Sequence, residues 1–290
     1  MKYKMREKIS ITECPRDAMQ GIKKFIPTTV KVNYIQQLLD VGFDVLDFGS
    51  FVSAKTIPQL ADTKEVLKKL DLSKTKTKLL AIVANLRGVE EASEFEQISY
   101  LGFPFSVSET FQQRNTNSSR EESLRTVEAS QKICELKDKE LIVYLSMGFG
   151  NPYGDEWSEE IVLSWAEKII SLGIKHISLA DTVGVSTPEN ISKLFSTLVI
   201  AFPEINFGAH FHSRNETALE KIKVAYDNGC RSFDSAIGGI GGCPMAMDSL
   251  VGNLPTEILL SFLKRRKIDS NIELNKFEIC KKFSTRVFED

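Results

Sequence analysis

The sequence predicts an α/β fold, a single (β/α)8 TIM barrel with a short C-terminal extension, on three observations. Strand-length apolar runs and amphipathic helical segments alternate eight times, and no Pro/Gly/Ser-rich linker interrupts them. A helix-closing Gly leading into a strand recurs at Val41-Gly42-Phe43, Leu172-Gly173-Ile174 and Asn228-Gly229-Cys230. Repeated βα units require parallel strands, and eight in one chain point to a closed barrel. A doubly wound open sheet is the alternative. It would want a Gly-rich first turn, which Glu13-Cys14-Pro15-Arg16-Asp17 does not supply.

The elements follow in order. Residues 9–14 read as the first strand, and 30–40 as a helix with apolar positions at Val32, Ile35, Leu38 and Leu39, closed by Gly42. Residues 43–48 are strand-like, 63–70 helical, and 78–84 an apolar strand before an acidic segment at 89–97. The fourth strand, 98–107, contains Gly102 and Pro104 and is expected to be irregular. Ser119 with Glu122 three residues on is a capping box that opens a long helix to residue 136. Residues 141–147 form the fifth strand, and Ser158-Glu159-Glu160 opens a helix to 171. Strands at 175–180 and 206–212 flank a helix at 188–201. A helix at 216–228, a strand at 231–237 and a helix at 255–267 complete the barrel. Residues 1–267 are thus the barrel domain and 268–290 the extension, helical from about Asn275.

Composition excludes several classes. A hydrophobic fraction of 42%, a charged fraction of 26% and a net charge of −2 belong to an ordinary globular protein. The basic runs, such as 264–267, are short solvated edges, so no nucleic-acid partner is expected. The N-terminus lacks the apolar core of a signal peptide, and no run approaches the ~18–20 apolar residues of a membrane span. A soluble, cytoplasmic protein is expected. The five cysteines are odd in number, scattered and without a C-x-x-C pair, so free thiols are expected.

The chemistry centres on Ala209-His210-Phe211-His212, which holds two of the three histidines of the chain. Residues i and i+2 of a strand share a face, so both imidazoles point the same way. Two neutral rings side by side can hold a divalent metal; alternatively they are half-buried and satisfied by backbone carbonyls. In a barrel the C-terminal strand ends build the site, and those ends are polar here. They carry Arg16 and Asp17, Asp47 to Ser50, Tyr144 and Ser146, Asp181 and Thr182, and the two histidines, with Gly238 to Pro244 and Asn253 after the eighth strand. Asp17, His210, His212 and Asn253 make a mixed oxygen and nitrogen set suited to Mg2+ or Mn2+, whereas structural zinc would recruit thiolates. Two roles stay open for Asp181, a cap for the helix near Thr187 or a catalytic carboxylate. Cys243 is either an inert apolar side chain or a reactive thiol on a Gly-rich hinge. Asp234 reads as structural.

Taken together, Glu13 to Gln20, Gly49-Ser50-Phe51-Val52-Ser53, Ala180 to Gly184, His210-Phe211-His212 and Gly241-Gly242-Cys243-Pro244 followed by Gly252-Asn253 resemble the hydroxymethylglutaryl-CoA lyase family, metal-dependent barrels of the DRE-TIM metallolyase group. The resemblance runs from about Ile11 to Leu260 and marks the barrel as a pyruvate-carboxyltransferase-like catalytic domain. It implies cleavage of 3-hydroxy-3-methylglutaryl-CoA to acetoacetate and acetyl-CoA, a step of leucine degradation and ketone-body formation. Asp17, His210, His212 and Asn253 are then the metal set. Arg16 stabilises the enolate and Cys243 protonates it. His210, Glu13, Asp47 and Asp181 serve proton transfer and support, with Tyr144 as a further candidate. Ala18-Met19, Asp47 and Ser213-Arg214 depart from the residues common in the family, as does the slightly longer, less Gly-rich interval from Cys243 to Asn253. These mark a variant branch.

Two other functions compete. One is a condensing synthase of the same barrel group, such as an isopropylmalate, homocitrate or citramalate synthase, which would carry a large C-terminal accessory region. The other is a non-catalytic scaffold, disfavoured by so many ionisable strand-end residues. The expected partner is a small acyl-CoA, with no nucleic acid or membrane, and the chain is expected to form a homo-oligomer, a dimer.

Overall fold

The computed structural model describes residues 8–242 and 251–288. Its elements run β1 (Ser10–Glu13), α1 (Pro15–Gln20), α2 (Thr28–Val41), β2 (Val45–Ser50), α3 (Thr63–Lys69), β3 (Lys78–Ile82), α4 (Leu86–Ser93) and β4 (Ile98–Ser106). They continue with α5 (Glu109–Thr116), α6 (Arg120–Leu136), β5 (Glu140–Ser146), α7 (Glu159–Ser171), β6 (His176–Asp181), α8 (Pro188–Ala201), β7 (Asn206–Phe211), α9 (Asn215–Asp227), β8 (Ser232–Ser235), α10 (Thr256–Arg266) and α11 (Leu274–Phe288). The strands pair in parallel in sequence order, and β8 closes on β1 through Ser10 opposite Ser232 and Glu13 opposite Ser235.

Strand alternation divides the apolar residues between two cores. On β3, Leu80 and Ile82 point into the barrel, where they meet Val45 and Tyr144. Leu79 and Ala81 point outward into the larger layer between sheet and helices. Local signals fix the helix starts: Ser119 and Glu122 form the expected capping box on α6, and Ser158 caps α7.

The irregularity expected at Gly102 and Pro104 is not there. β4 pairs without a break with β5 from Tyr100 to Ser106, and its register shift lies at the other end, opposite Leu79 and Leu80 of β3. β3 ends at Ile82 opposite Gly102, so Pro104 lies past its last partner and forfeits no ladder bond to it. Gly102 is needed for space: a Cβ there would lie 2.5 Å from Ile82 and 2.9 Å from Tyr144. α1 and α5 were not expected from the sequence. Both are short, and α5 buries only Phe111 and Gln112, which leaves no apolar stripe to read.

Residues beyond α10 pack on the barrel rather than standing apart from it. Glu273 N–H donates to Val41 O at the end of α2, and Tyr34 on α2 meets Phe283 and Phe288 of α11 at ring separations of 6.3 and 5.7 Å. No described helix is long and apolar enough to cross a membrane.

Candidate active site

The C-terminal strand ends surround a cavity of about 160 Å3 lined by Arg16, Asp17, Gln20, Tyr144, His210 and His212, among others. α1 delivers the first three. Pro15 occupies its first turn, where a missing N–H costs nothing, and the short helix turns Arg16 and Asp17 back over the barrel mouth.

His210 and His212 leave β7 on the same side, with ring centroids 5.3 Å apart. His210 Nδ1 lies 3.1 Å from Asp234 Oδ2, and the two residues are in register across β7 and β8. Ser178 Oγ donates to the same oxygen at 3.3 Å. The Nε2 of His212 is buried with no hydrogen-bond partner among the described residues. Burial would lower the pKa of His210, but the hydrogen bond and charge of Asp234, then the charge of Asp17, hold it above that of an ordinary imidazole. Burial, followed by the neighbouring His210, drives His212 down to about 4, so its ring is neutral.

The ligand atoms of Asp17, His210 and His212 all lie within 4.8 Å of one another. Burial disfavours the Asp17 carboxylate, yet Arg16, then the two histidines and the Asn253 bond, keep its pKa below the ordinary value. Asn253 Nδ2 donates to Asp17 Oδ2 at 2.6 Å and to Ile240 O at 2.9 Å. With both N–H groups engaged, the amide oxygen is the atom left to act as a ligand. A divalent cation fits this set. It would give the orphaned His212 Nε2 a partner, and a buried nitrogen left without one costs about 1–3 kcal/mol. Anchoring of the His210 ring through Nδ1 by the Asp234 carboxylate is the usual outer support of a metal-bound histidine.

Arg16 is held on two sides. Its Nε and Nη2 donate to Asp47, at 2.9 and 2.6 Å to Oδ2, and its Nη1 donates to Asp17 Oδ1 and Gln20 Oε1, each at 3.0 Å. Burial opposes its charge, but Asp47 and Asp17 raise its pKa above the ordinary guanidinium value. Of the five N–H groups these bonds use four, leaving one on Nη2 for a ligand in the cavity.

The other expected residues are placed differently. Asp47 does not line the cavity; it serves Arg16. Glu13, expected in proton transfer, accepts from Ile237 N–H at 2.8 Å and Thr256 Oγ at 2.6 Å, and does not reach the cavity. Asp181 neither caps α8, which Thr187 does, nor lines the cavity. Its oxygens accept from Val185 N–H, Ser186 N–H and Oγ, and Lys221 Nζ, so it pins the loop after β6. Tyr144 packs edge-on against His210 at 5.5 Å, and burial, then Asp234 and Asp47, raise its pKa well above the ordinary phenol. It can donate a hydrogen bond but does not release its proton near neutrality. Cys243 lies outside the described residues. The Gly-rich loop expected to act as a hinge has a second role: a Cβ on Gly241, at φ 108°, would lie 2.5 Å from Asn253 Nδ2 and 3.0 Å from Asp17 O. Only glycine lets the loop lie on the Asp17 and Asn253 pair.

Asp234 was read as structural and is instead the partner of His210. Gln20, which belongs to the first motif but carries no role in the sequence reading, bonds both Arg16 and Asp17, and Lys221 has no signal there that singles it out.

Comparison with known proteins gives a consistent result. The HMGL-like family model matches residues 8–283. The chain is 35% identical to the Bacillus subtilis hydroxymethylglutaryl-CoA lyase YngG, covering 93% of this chain and 90% of that protein. It is 33% identical to the mitochondrial hydroxymethylglutaryl-CoA lyase of Mus musculus, over 90% of this chain and 80% of the other. The structure of an HMG-CoA lyase from Acinetobacter baumannii, in complex with coenzyme A and 3-methylmalate, superimposes with a TM-score of 0.90 at 29% identity, covering 98% of this chain and 92% of that one.

Proposed function

The chain belongs to the HMGL-like family, and from that premise we propose that it is a metal-dependent carbon–carbon lyase that cleaves 3-hydroxy-3-methylglutaryl-CoA to acetoacetate and acetyl-CoA. The observation that carries the proposal is the buried, unpartnered His212 Nε2, on a ring whose ligand atom lies within 4.8 Å of those of Asp17 and His210, at a cavity that Arg16 also lines. The relatives that support it act on, or were solved with, CoA compounds.

Asp17, His210 and His212 would hold the ion, Mg2+ or Mn2+, with the Asn253 carbonyl oxygen as a fourth ligand. Bound there, a divalent cation acts as a Lewis acid that orients the substrate and acidifies its tertiary hydroxyl. Loss of that proton turns the C–O bond into a carbonyl and sends the electron pair of the adjacent C–C bond onto the thioester side, giving the enolate of acetyl-CoA. The free N–H of Arg16, locked by Asp47, stabilises the negative charge on that enolate oxygen. His210, oriented and made more basic by Asp234, is also assigned a part in proton transfer. We assign the protonation of the enolate carbon to Cys243. A cytoplasmic setting agrees with four buried free thiols, Cys14, Cys134, Cys230 and Cys280, and a homodimer remains the expected assembly.

Purified protein with Mg2+ or Mn2+ should form acetoacetate from the hydroxymethylglutaryl thioester, and chelation should abolish it. Absence of product with metal present would overturn the proposal.

A further inference from the structure

α9 presents a lysine where its periodicity calls for an apolar residue. Ala218, Ile222 and Ala225 make its buried stripe, and Lys221 lies on it with a side chain only 6% exposed. A buried ammonium is tolerated when each of its three donors finds an acceptor. Here Nζ lies 2.6 Å from Asp181 Oδ2, 3.0 Å from His212 O and 3.4 Å from Gly184 O. These acceptors come from the ends of two neighbouring strands, β6 and β7, and from the loop that follows β6. Asp181 carries the linkage further, because it also accepts from Val185 and Ser186.

His212 sits just past the last residue of β7, where the ladder no longer defines the backbone. Its own N–H reaches Asp181 O at 3.4 Å, a long contact, and an isolated bridge joins it to Asn253. The bridge bonds, Ser213 N–H to Gly252 O at 2.9 Å and Leu254 N–H to Phe211 O at 3.0 Å, hold this stretch on the Asn253 side, and the bond from Lys221 to His212 O holds it on the side of α9 and β6. The peptide plane aims the ring, and the ring must keep its ligand nitrogen within reach of Asp17 and His210.

We propose that Lys221 is a positioning residue for metal binding: by tying His212 O, Asp181 and Gly184 O together, it holds His212 in the orientation in which Nε2 faces the ion. This rests on the assignment of Asp17, His210 and His212 as the ligand set.

The test is titration with Mn2+, followed by electron paramagnetic resonance, on the wild type, Lys221→Met and the double variant Asp181→Asn/Lys221→Met. The single variant strands the Asp181 carboxylate and can fail to fold; the double variant removes both charges and keeps a polar group at position 181. The expected result is a Kd for Mn2+ weaker by roughly tenfold to a hundredfold, the usual cost of losing an outer support, in a double variant that melts near the wild-type temperature. A folded double variant with wild-type Mn2+ affinity would overturn the role of Lys221. A wild-type chain that binds no Mn2+ would instead overturn the ligand set itself.

Discussion

Replacing Arg16 with Met tests whether the buried guanidinium stabilises the enolate or only neutralises its neighbours. Arg16 is 7% exposed and Asp47 is fully buried, the two joined by three contacts of 2.6 to 3.2 Å. Removing one member of such a pair costs about 3–5 kcal/mol, because the other is left as an uncompensated charge. At roughly 2–4 °C per kcal/mol for a domain of this size, Tm should fall by about 10 °C. The loss should grow with pH. Burial already pushes Asp47 up to about 6 against the pull of Arg16, and without the arginine its folded pKa rises further. A carboxyl whose folded pKa is raised stabilises the fold while protonated and loses that contribution as pH rises through the folded pKa. Arg16→Met/Asp47→Asn should recover most of the stability, since no charge is stranded. It should not recover turnover: loss of a donor to a developing oxyanion costs about 10²–10³ in kcat. The assay is acetoacetate release at saturating Mg2+ beside thermal melts at pH 6 and 8. A double variant that regains both stability and wild-type kcat would refute the enolate role.

Other changes separate the remaining roles. Asp234→Asn should weaken Mn2+ binding by roughly tenfold to a hundredfold, because His210 loses the carboxylate that orients its ring; unchanged affinity would make Asp234 a bystander. Glu13→Gln should flatten the pH dependence of Tm between about 4.5 and about 8, the interval over which burial keeps the folded carboxyl protonated while the unfolded chain has released its proton. There the folded state binds more protons, so wild-type stability falls as pH rises, by on the order of a few kcal/mol in all. An equal slope in both proteins would show Glu13 already ionised in the fold. For Cys243→Ala, turnover should fall steeply with Mn2+ affinity intact, measured on the same preparation, and near-normal turnover would remove the thiol from the mechanism.

The barrel was legible because its signals are local. Gly42, Gly173 and Gly229 close helices at left-handed φ values of 92°, 89° and 100°, and Ser119 and Ser158 start helices where their neighbours say they should. The nearness of His210 and His212 was legible for a related reason, since strand geometry alone puts them on one face, and the structure brings Asp17 within reach of both. What escaped depends on closure. Asp234 meets His210 only because β7 and β8 pair in that register, and a one-residue slip would turn it to the other face. Lys221 is one of two lysines on α9, and although it falls on the apolar stripe, the acceptors that bury its charge come from β6 and β7 and are visible only once the barrel has closed. Glu13 and Asp181 failed in the opposite direction. Both sit at strand ends, where a carboxylate suggests chemistry, yet their oxygens are taken by backbone N–H groups and hydroxyls of the adjoining segments and, for Asp181, by Lys221.

The most direct measurement is Mn2+ stoichiometry on the metal-stripped chain and on His212→Ala, read beside acetoacetate formation in the same samples. The expected outcome is about one ion per chain with product formed for the wild type, and loss of both in the variant. Equal Mn2+ binding by the two proteins, or product from the metal-stripped wild type, would contradict a metal-dependent lyase built on this pair of histidines.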